Sequence, residues 1–338
     1  MVTGNVRIDS NAPMPSLNLV GGNVEVAISQ YIQLPALTRI AGNLSAAPLV
    51  INGTDQTSPR IGAPALTEIG GNVSLMSWVA GGVFSADSLV AVNGVLELDG
   101  QFRVIKLSQL DRIGASAHVG VQIDALALPA LESVGQSMVM SGTMTNLDLH
   151  SLKTAAGLSL AFANLTSLSL PAFESSGVVD VANSPSLTTV SMPALSNASA
   201  LTLAFVPQLT SLDISALTAV GTLTVTNTPM TDLAMFSNLS TIRSLWVQDN
   251  AHLVDLGGID QIATADGIAI KNNSALKSLA GLDHLTKVSG DVLIQNNAAL
   301  ASLSSLDSLT SVAGALTVSS NAALSPSEVA AFLARLGR

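Results

Sequence analysis

The 338-residue chain is rich in apolar residues (48%), has few charged ones (11%) and is poor in aromatics (3%). This composition excludes a disordered chain and provides a core of Leu, Val, Ile and Ala. The net charge of −10, without a basic cluster, argues against nucleic acid and anionic membranes as partners, and the absence of cysteine excludes disulfides, thiolate metal sites and a cysteine nucleophile.

The N-terminal sequence MVTGNVRIDSNAP has neither the basic nor the apolar segment of a secretory signal. The longest apolar stretches, such as residues 76–84, are about half as long as a membrane span. We therefore expect no membrane insertion by this chain. We expect either a cytosolic protein or a mature or trimmed form of an exported one.

A pair of apolar residues separated by one residue recurs along the chain and predicts stacked strands. We call the second residue of each pair the strand marker. From Leu160 onward the markers lie 21 to 24 residues apart, which is the period of leucine-rich-repeat solenoids. Weaker pairs further back bring the prediction to about fifteen turns. The markers are Ile8, Val26, Ala46, Leu75, Leu98, Ile123, Met140, Leu160, Val181, Leu203, Val225, Val247, Ile270, Ile294 and Val318.

The interval between Ala46 and Leu75 is too long for one turn. It contains the stretch NGTDQTSPRIGAP, whose Gly, Pro and Thr residues predict an irregular insertion near residues 48–64. Within the other repeats, alternating apolar positions and turn residues predict three short extended sides per coil. Stacking these sides predicts parallel sheets in an all-β solenoid that forms one domain over residues 1–324.

Asparagine recurs at one position of four successive coils, three residues after the strand marker. An asparagine at a tight turn can hydrogen-bond its own backbone and that of the next coil. This column therefore predicts a structural ladder rather than a ligand site. Its members are Asn250, Asn273, Asn297 and Asn321.

The C-terminal sequence SPSEVAAFLARLGR, residues 325–338, predicts a capping helix. Ser325 is the expected N-cap, Pro326 the first helical residue, and Glu328 the third residue of a capping box. One apolar face would cover the open end of the core, as the caps of solenoids do. That face consists of Val329, Phe332, Leu333 and Leu336.

Residues 285–312 resemble the receptor L-domain type of leucine-rich repeat. The shared features are G-[ND]-[LV]-x-[VIL] at the start of a strand, NN-x-x-L after it, and L-x-x-[VI] before the next glycine. The resemblance implies a right-handed β-helix with a binding or surface role, as in the ligand-binding lobes of the insulin and EGF receptors. The Ala-rich, cysteine-free composition is closer to the bacterial cell-surface members. The resemblance assigns no site residue, because the family's ligand contacts lie outside its motif.

An enzyme of this shape would need a cluster of acids, bases or metal ligands along one side. Glu97 and Asp99 share a strand face, but we expect Met76 and Gln122 beside them in the neighbouring coils. The histidines share no column and lack the spacing of metal ligands. We therefore predict no enzymatic activity, no catalytic residue, no metal and no cofactor. The histidines are His118, His150, His252 and His284.

Trp246 is the one aromatic residue at an outward strand position, where many other coils have Ser, Thr or Ala. Its outward neighbours are Gln248, Lys271, Leu293 and Gln295. An exposed aromatic residue flanked by amides is typical of a protein or sugar contact. The alternative is that a loop or adjacent side chains cover Trp246.

These features favour a non-catalytic recognition module, on the cell surface or secreted, that binds a protein or polysaccharide along its long sheet. A structural or adhesive rod-like spacer also fits the uniform Ser, Thr and Ala surface. A polysaccharide-active β-helix enzyme has less support, because no acidic cluster can be assembled. A flat ice-binding array is suggested by residues 222–226, but the neighbouring coils do not repeat their Thr-x-Thr pattern.

Overall fold

The computed structural model describes residues 1–10, 12, 14–27, 31–46, 50–51, 54–55 and 58–338. The chain divides into two compact units. The first comprises residues 1–165 and 169–173, and the second comprises residues 166–168 and 174–338. The fold is an all-β parallel solenoid with one C-terminal helix.

Short strands form most of the regular structure up to residue 165. They are β1 (Val6–Ile8), β2 (Leu19–Val20), β3 (Val24–Val26), β4 (Ile32–Gln33), β5 (Arg39–Ile40), β6 (Leu44–Ala46), β7 (Val50–Ile51), β8 (Thr54–Asp55), β9 (Arg60–Gly62), β10 (Glu68–Ile69), β11 (Val73–Ser85), β12 (Ala91–Val92), β13 (Leu96–Lys106), β14 (Arg112–Ile113), β15 (Ala117–Gln122), β16 (Ala125–Ala127), β17 (Ser133–Gly142), β18 (Asn146–Asp148) and β19 (Thr154–Phe162).

The later strands are followed by the C-terminal helix α1 (Pro326–Arg335), and two 3₁₀ turns occur at Ala234–Phe236 and Ser304–Leu306. These strands are β20 (Ser167–Ser169), β21 (Ser175–Ala182), β22 (Thr189–Ser191), β23 (Asn197–Ala204), β24 (Ser211–Asp213), β25 (Ala219–Thr226), β26 (Thr241–Gln248), β27 (Thr264–Ala265), β28 (Gly267–Lys271), β29 (Lys287–Val288), β30 (Val292–Gln295), β31 (Ser311–Val312) and β32 (Leu316–Ser319).

The marker strands of successive coils pair in parallel and in register within each unit. In the second unit, Val225, Val247, Ile270 and Ile294 are direct partners across β25, β26, β28 and β30. All four side chains are fully buried. The alternation of apolar and polar residues therefore places one face of each strand in the core and the other at the surface.

The predicted marker Ile123 is wrong. Strand β15 pairs with β13 through Leu98 and Val119, so Val119 is the marker of this coil. The apolar alternation continues through Val119, Val121 and Ile123. A two-residue period does not fix the register, because every second position fits the buried face equally well.

The described residues form about 13 turns rather than the fifteen predicted. The fifteen marker strands are separated by fourteen intervals, and the interval from Ala46 to Leu75 contains the predicted insertion. Counting strands therefore overestimates the regular turns.

The predicted insertion near residues 48–64 lies partly outside the described residues, which omit 48–49, 52–53 and 56–57. Its described part includes the antiparallel pair β7 and β8. It also includes β9, which pairs in parallel with β4 and β11. The chain thus returns to the solenoid at Arg60–Gly62.

The asparagine column is buried and forms a continuous hydrogen-bonded ladder. Asn250, Asn273 and Asn297 are fully buried, and Asn321 is 8% exposed. The Oδ1 atom of each asparagine from Asn273 onward accepts the backbone N–H of the asparagine one coil earlier, at 2.9–3.0 Å. Each Nδ2 donates to a strand carbonyl of the preceding coil at 3.0 Å. The ladder thus satisfies buried turn groups that would otherwise lack partners.

A second ladder lies in the first unit. Asn5, Asn23, Asn43 and Asn72 each accept, through Oδ1, a backbone N–H of the next coil at 2.8–2.9 Å. This ladder was not predicted from the sequence. The Gly-Asn pairs before several strands were its signal.

Helix α1 begins after the N-cap Ser325, whose Oγ accepts the N–H of Glu328 at 3.2 Å. The reciprocal half of the predicted capping box is wrong. The Glu328 carboxylate instead accepts the Leu303 N–H at 2.7 Å and the Ser302 hydroxyl at 2.8 Å. Those donors belong to the preceding coil, so tertiary contact competes successfully with the local cap.

The C-terminal end of the chain also satisfies carbonyl groups of the last coil. Arg335 donates to the Leu306 carbonyl at 2.8 Å, and Arg338 donates to the carbonyls of Val312 and Gly314 at 2.7 and 2.9 Å. Phe332 is the most buried side chain of the helix. Among the residues described above, no helix is long and apolar enough to cross a membrane.

Candidate functional site

The five residues predicted around Trp246 lie on one face of three neighbouring strands. Trp246 on β26 is the register partner of Ala269 on β28, and Ala269 is in turn the partner of Leu293 on β30. Gln248 and Lys271 are partners in the next outward column. Gln295 continues this column on β30. We call these five residues the Trp246 patch: Trp246, Gln248, Lys271, Leu293 and Gln295.

Trp246 is 49% exposed, so no described residue covers its ring completely. The other four side chains are partly exposed. Gln295 donates an amide hydrogen bond to the Ser319 hydroxyl at 3.0 Å, which orients it at the far edge of the patch. The patch offers an apolar ring, amide donors and acceptors, and one cation. Successive strands are about 4.8 Å apart, so all these groups lie within reach of one ligand.

The corrected register changes the surroundings of Glu97. His118, rather than Gln122, is its partner on β15, and Ser74 is its partner on β11. The Ser74 hydroxyl donates to the Glu97 carboxylate at 2.8 Å. Asp99 lies between Met76 and Gly120. The neighbouring coils thus bring a histidine beside Glu97, and neither coil pairs a carboxylate with Glu97 or Asp99.

The histidines occupy unrelated positions. His150 contacts the Asp148 carboxylate at 2.7 Å, and His284 contacts the Asp260 carbonyl oxygen at 2.9 Å. No group of three or more His, Asp or Glu residues within the described ranges has a geometry that could hold a metal ion.

A second candidate surface, which the sequence analysis missed, begins at the turn after each marker strand of the second unit. The residue two positions after the marker has a left-handed backbone in seven described coils, with φ between 49° and 59°. Asn and Asp tolerate this conformation, which explains most of the column. The seven residues are Asn183, Phe205, Asn227, Asp249, Asn272, Asn296 and Ser320.

Phe205 is the exception in this column, because a bulky side chain is disfavoured in the left-handed region. Its φ is 55°, and its side chain is 51% exposed. The Phe205 N–H donates to the Thr226 carbonyl at 3.0 Å, and its own carbonyl accepts from the Ser184 N–H at 3.2 Å. Hydrogen bonds to both neighbouring coils therefore fix the backbone, at a cost of about 1–2 kcal/mol relative to a permissive residue.

Phe205 lines an open groove of about 520 Å³. Prolines from three successive coils contribute apolar surface, and asparagine, aspartate and histidine side chains contribute polar groups. We call this surface the Phe205 groove. Its lining residues are Asn183, Pro185, Phe205, Pro207, Asn227, Thr228, Pro229, Asp249, Ala251 and His252.

The groove had a signal in the sequence. The turns ANSPSL, AFVPQL and TNTPMT align at 22-residue spacing, so Phe205 occupies a position where its neighbours have asparagine. Aligning the turns, as well as the strands, would have identified it. No protein-family model matches the chain, and no curated protein matches it.

Proposed function

We propose that this protein is a non-catalytic recognition module that binds a protein or glycan through the outward face of its long parallel sheet. The main support for this proposal is the exposed Trp246 patch. An aromatic ring that is half exposed on the outward face of the sheet has no role in the core. Tryptophan is also among the residues that most often dominate binding energy.

The chemistry of the patch fits a ligand with both apolar and hydrogen-bonding groups. Gln248 and Gln295 present amides in the same column as Lys271. Gln248 lies two residues after Trp246, and Gln295 lies two residues after Leu293. The amides therefore share one strand face with the apolar side chains. Such a combination supports recognition of a protein surface or a sugar, in which C–H faces alternate with hydroxyl or amide groups.

The proposal includes a place in the leucine-rich-repeat group, of receptor L-domain type, and a location at the cell surface or outside the cell. The support is the resemblance of residues 285–312 to that family, together with a cysteine-free composition like that of its bacterial members. Fractionation of the source cells with an antibody against this chain tests the location. Recovery only in the cytoplasmic fraction would contradict it.

The test of binding is a pull-down with three immobilised proteins: the wild type, Trp246→Ala and Trp78→Ala. Trp78 is a matched control, because it is the second of the two tryptophans and is also 49% exposed, in β11. Envelope extracts are divided into protein and polysaccharide fractions. We expect a saturable partner that the wild type and Trp78→Ala capture and Trp246→Ala loses.

Equal capture by all three proteins would place the site away from the Trp246 patch. If none of the three proteins captures a partner, the result would contradict the proposal of a recognition module and favour a structural spacer. Sedimentation of the purified protein over a range of concentrations would then show whether it assembles with itself.

A further inference from the structure

We infer that the Phe205 groove binds a neutral oligosaccharide, with Phe205 as the stacking platform for a sugar ring. This inference goes beyond the proposed function, because it concerns a different surface and names a ligand class. Three observations support it: a strained and exposed aromatic residue, a row of prolines produced by the repeat, and two asparagine amides that make no hydrogen bond to any described residue.

The position of Phe205 is not explained by folding. Other residues of the column are Asn, Asp or Ser, which adopt the left-handed conformation at lower cost. The ring is 51% exposed, so burial offsets only part of the strain. Strained residues that their surroundings hold in place concentrate at binding sites. A rigid ring held at a fixed angle is what stacking on a ligand requires.

The floor of the groove continues the apolar surface of the ring. Pro185, Pro207 and Pro229 lie 22 residues apart, four residues after the strand markers of successive coils. Coils stack at about 4.8 Å, so the three pyrrolidine rings form a row beside Phe205. A sugar ring is comparable in width with this spacing. Its C–H face can lie on the row while its hydroxyl groups point to the rim.

The rim provides donors and acceptors for those hydroxyl groups. The side-chain amides of Asn183 and Asn227 make no hydrogen bond within the part of the chain that the structure describes. Asp249 accepts the Asn272 amide at 2.9 Å and keeps a further carboxylate oxygen for a ligand. An amide both donates and accepts, which matches a hydroxyl group.

The charge of the groove selects a neutral ligand. No Lys or Arg is among its lining residues, and Asp249 carries the one negative charge. A uronic acid or a phosphate would meet a carboxylate without a compensating cation. A neutral saccharide meets no such penalty.

The backbone of the groove argues against an extended peptide. The N–H groups of Asn183, Phe205 and Asp249 already donate to carbonyls of the next coil, at 3.0–3.1 Å. A peptide main chain would therefore find few free partners, whereas strand addition depends on them. Side-chain amides and ring faces remain, and these suit a sugar.

The test is isothermal titration calorimetry of the whole chain with defined oligosaccharides. The probes are hexasaccharides of β-1,4-glucose, β-1,3-glucose, mannose, xylose and N-acetylglucosamine. Hexagalacturonate serves as the anionic comparison and decaproline as the peptide comparison. We expect at least one neutral hexasaccharide to bind the wild type, and Phe205→Asn to weaken it about tenfold or more.

Three further variants establish whether the saccharide binds in the Phe205 groove. Phe205→Tyr keeps the ring and should retain affinity within about threefold. Ser320→Gly alters a distant member of the same column and should have no effect. Trp78→Ala removes an equally exposed aromatic side chain outside both surfaces and should also leave saccharide binding unchanged. The outcome depends on the Phe205 variants and not on Trp246, so the two proposals can fail separately.

The inference is overturned if no neutral hexasaccharide binds at millimolar concentration. It is also overturned if Phe205→Asn binds as tightly as the wild type, or if only hexagalacturonate or decaproline binds. Circular dichroism of Phe205→Asn before titration establishes that the variant is folded. If Phe205→Asn is unfolded, Phe205→Tyr and Asn183→Ala replace it. We then expect Phe205→Tyr to retain binding and Asn183→Ala to weaken it.

Discussion

Replacing Asn273 with alanine tests whether the buried asparagine ladder stabilises the solenoid. Asn273 is fully buried, and its side chain makes four hydrogen bonds. Oδ1 accepts the backbone N–H and the Nδ2 of Asn250, and Nδ2 donates to the Val247 carbonyl and to Asn297 Oδ1. Alanine makes none of these bonds.

The expected cost follows from the groups left behind. Asn250 Nδ2 keeps the carbonyls of Val225 and Gln248, and Asn297 Oδ1 keeps the Asn273 backbone N–H. The Asn250 N–H and the Val247 carbonyl lose a ladder partner. Each buried polar group without a partner costs about 1–3 kcal/mol, so we expect a loss of about 4 kcal/mol in the free energy of unfolding.

Urea unfolding followed by circular dichroism measures this loss, with the slope of the transition compared between variants. Stacked repeats can unfold in parts, so hydrogen exchange at the Asn250 amide provides a local measurement. The matched control is Ser320→Gly in the adjacent column. Ser320 is exposed with a φ of 58°, and glycine adopts that conformation freely, so we expect a change within about 0.5 kcal/mol. If Asn273→Ala costs no more than this control, the ladder does not stabilise the fold.

Three further substitutions test other parts of the fold. Phe205→Asn should change the free energy of unfolding by less than about 1 kcal/mol, because relief of left-handed strain offsets the lost contacts of the ring. A loss above about 2 kcal/mol, measured by urea unfolding, would show that Phe205 is not strained. Gly142→Ala should cost about 3 kcal/mol, because its φ is 141° and a Cβ would clash with the carbonyl oxygen of Val121 in the adjacent coil. Gly4 lies in open space, so Gly4→Ala should be neutral. Equal midpoints of urea unfolding for the two variants would contradict this. Glu328→Ala should cost about 2 kcal/mol and lower the melting temperature, because its carboxylate accepts the Leu303 N–H. An unchanged melting temperature would show that this hydrogen bond does not stabilise the helix on the last coil.

The solenoid could be predicted from the residues alone, because each coil repeats the same local chemistry. Apolar alternation, turn residues and a period of 21 to 24 residues predict parallel stacked strands without any long-range information. The column from Asn250 to Asn321 and the helix after Ser325 followed from the same repetition and from capping rules. The five residues of the Trp246 patch could be placed on one face because their coils keep a regular register.

Where the repeat drifts, the stacking of the coils selects which residues oppose one another. Val119 rather than Ile123 faces Leu98, since a two-residue period admits several registers and only stacking selects one. Glu328 contacts Leu303 of the preceding coil instead of its own N-cap, because a carboxylate takes the donor that the fold brings closest. The strain at Phe205 was likewise not predicted. Its left-handed backbone is imposed by hydrogen bonds from two neighbouring coils, and such bonds exist only once the coils are stacked.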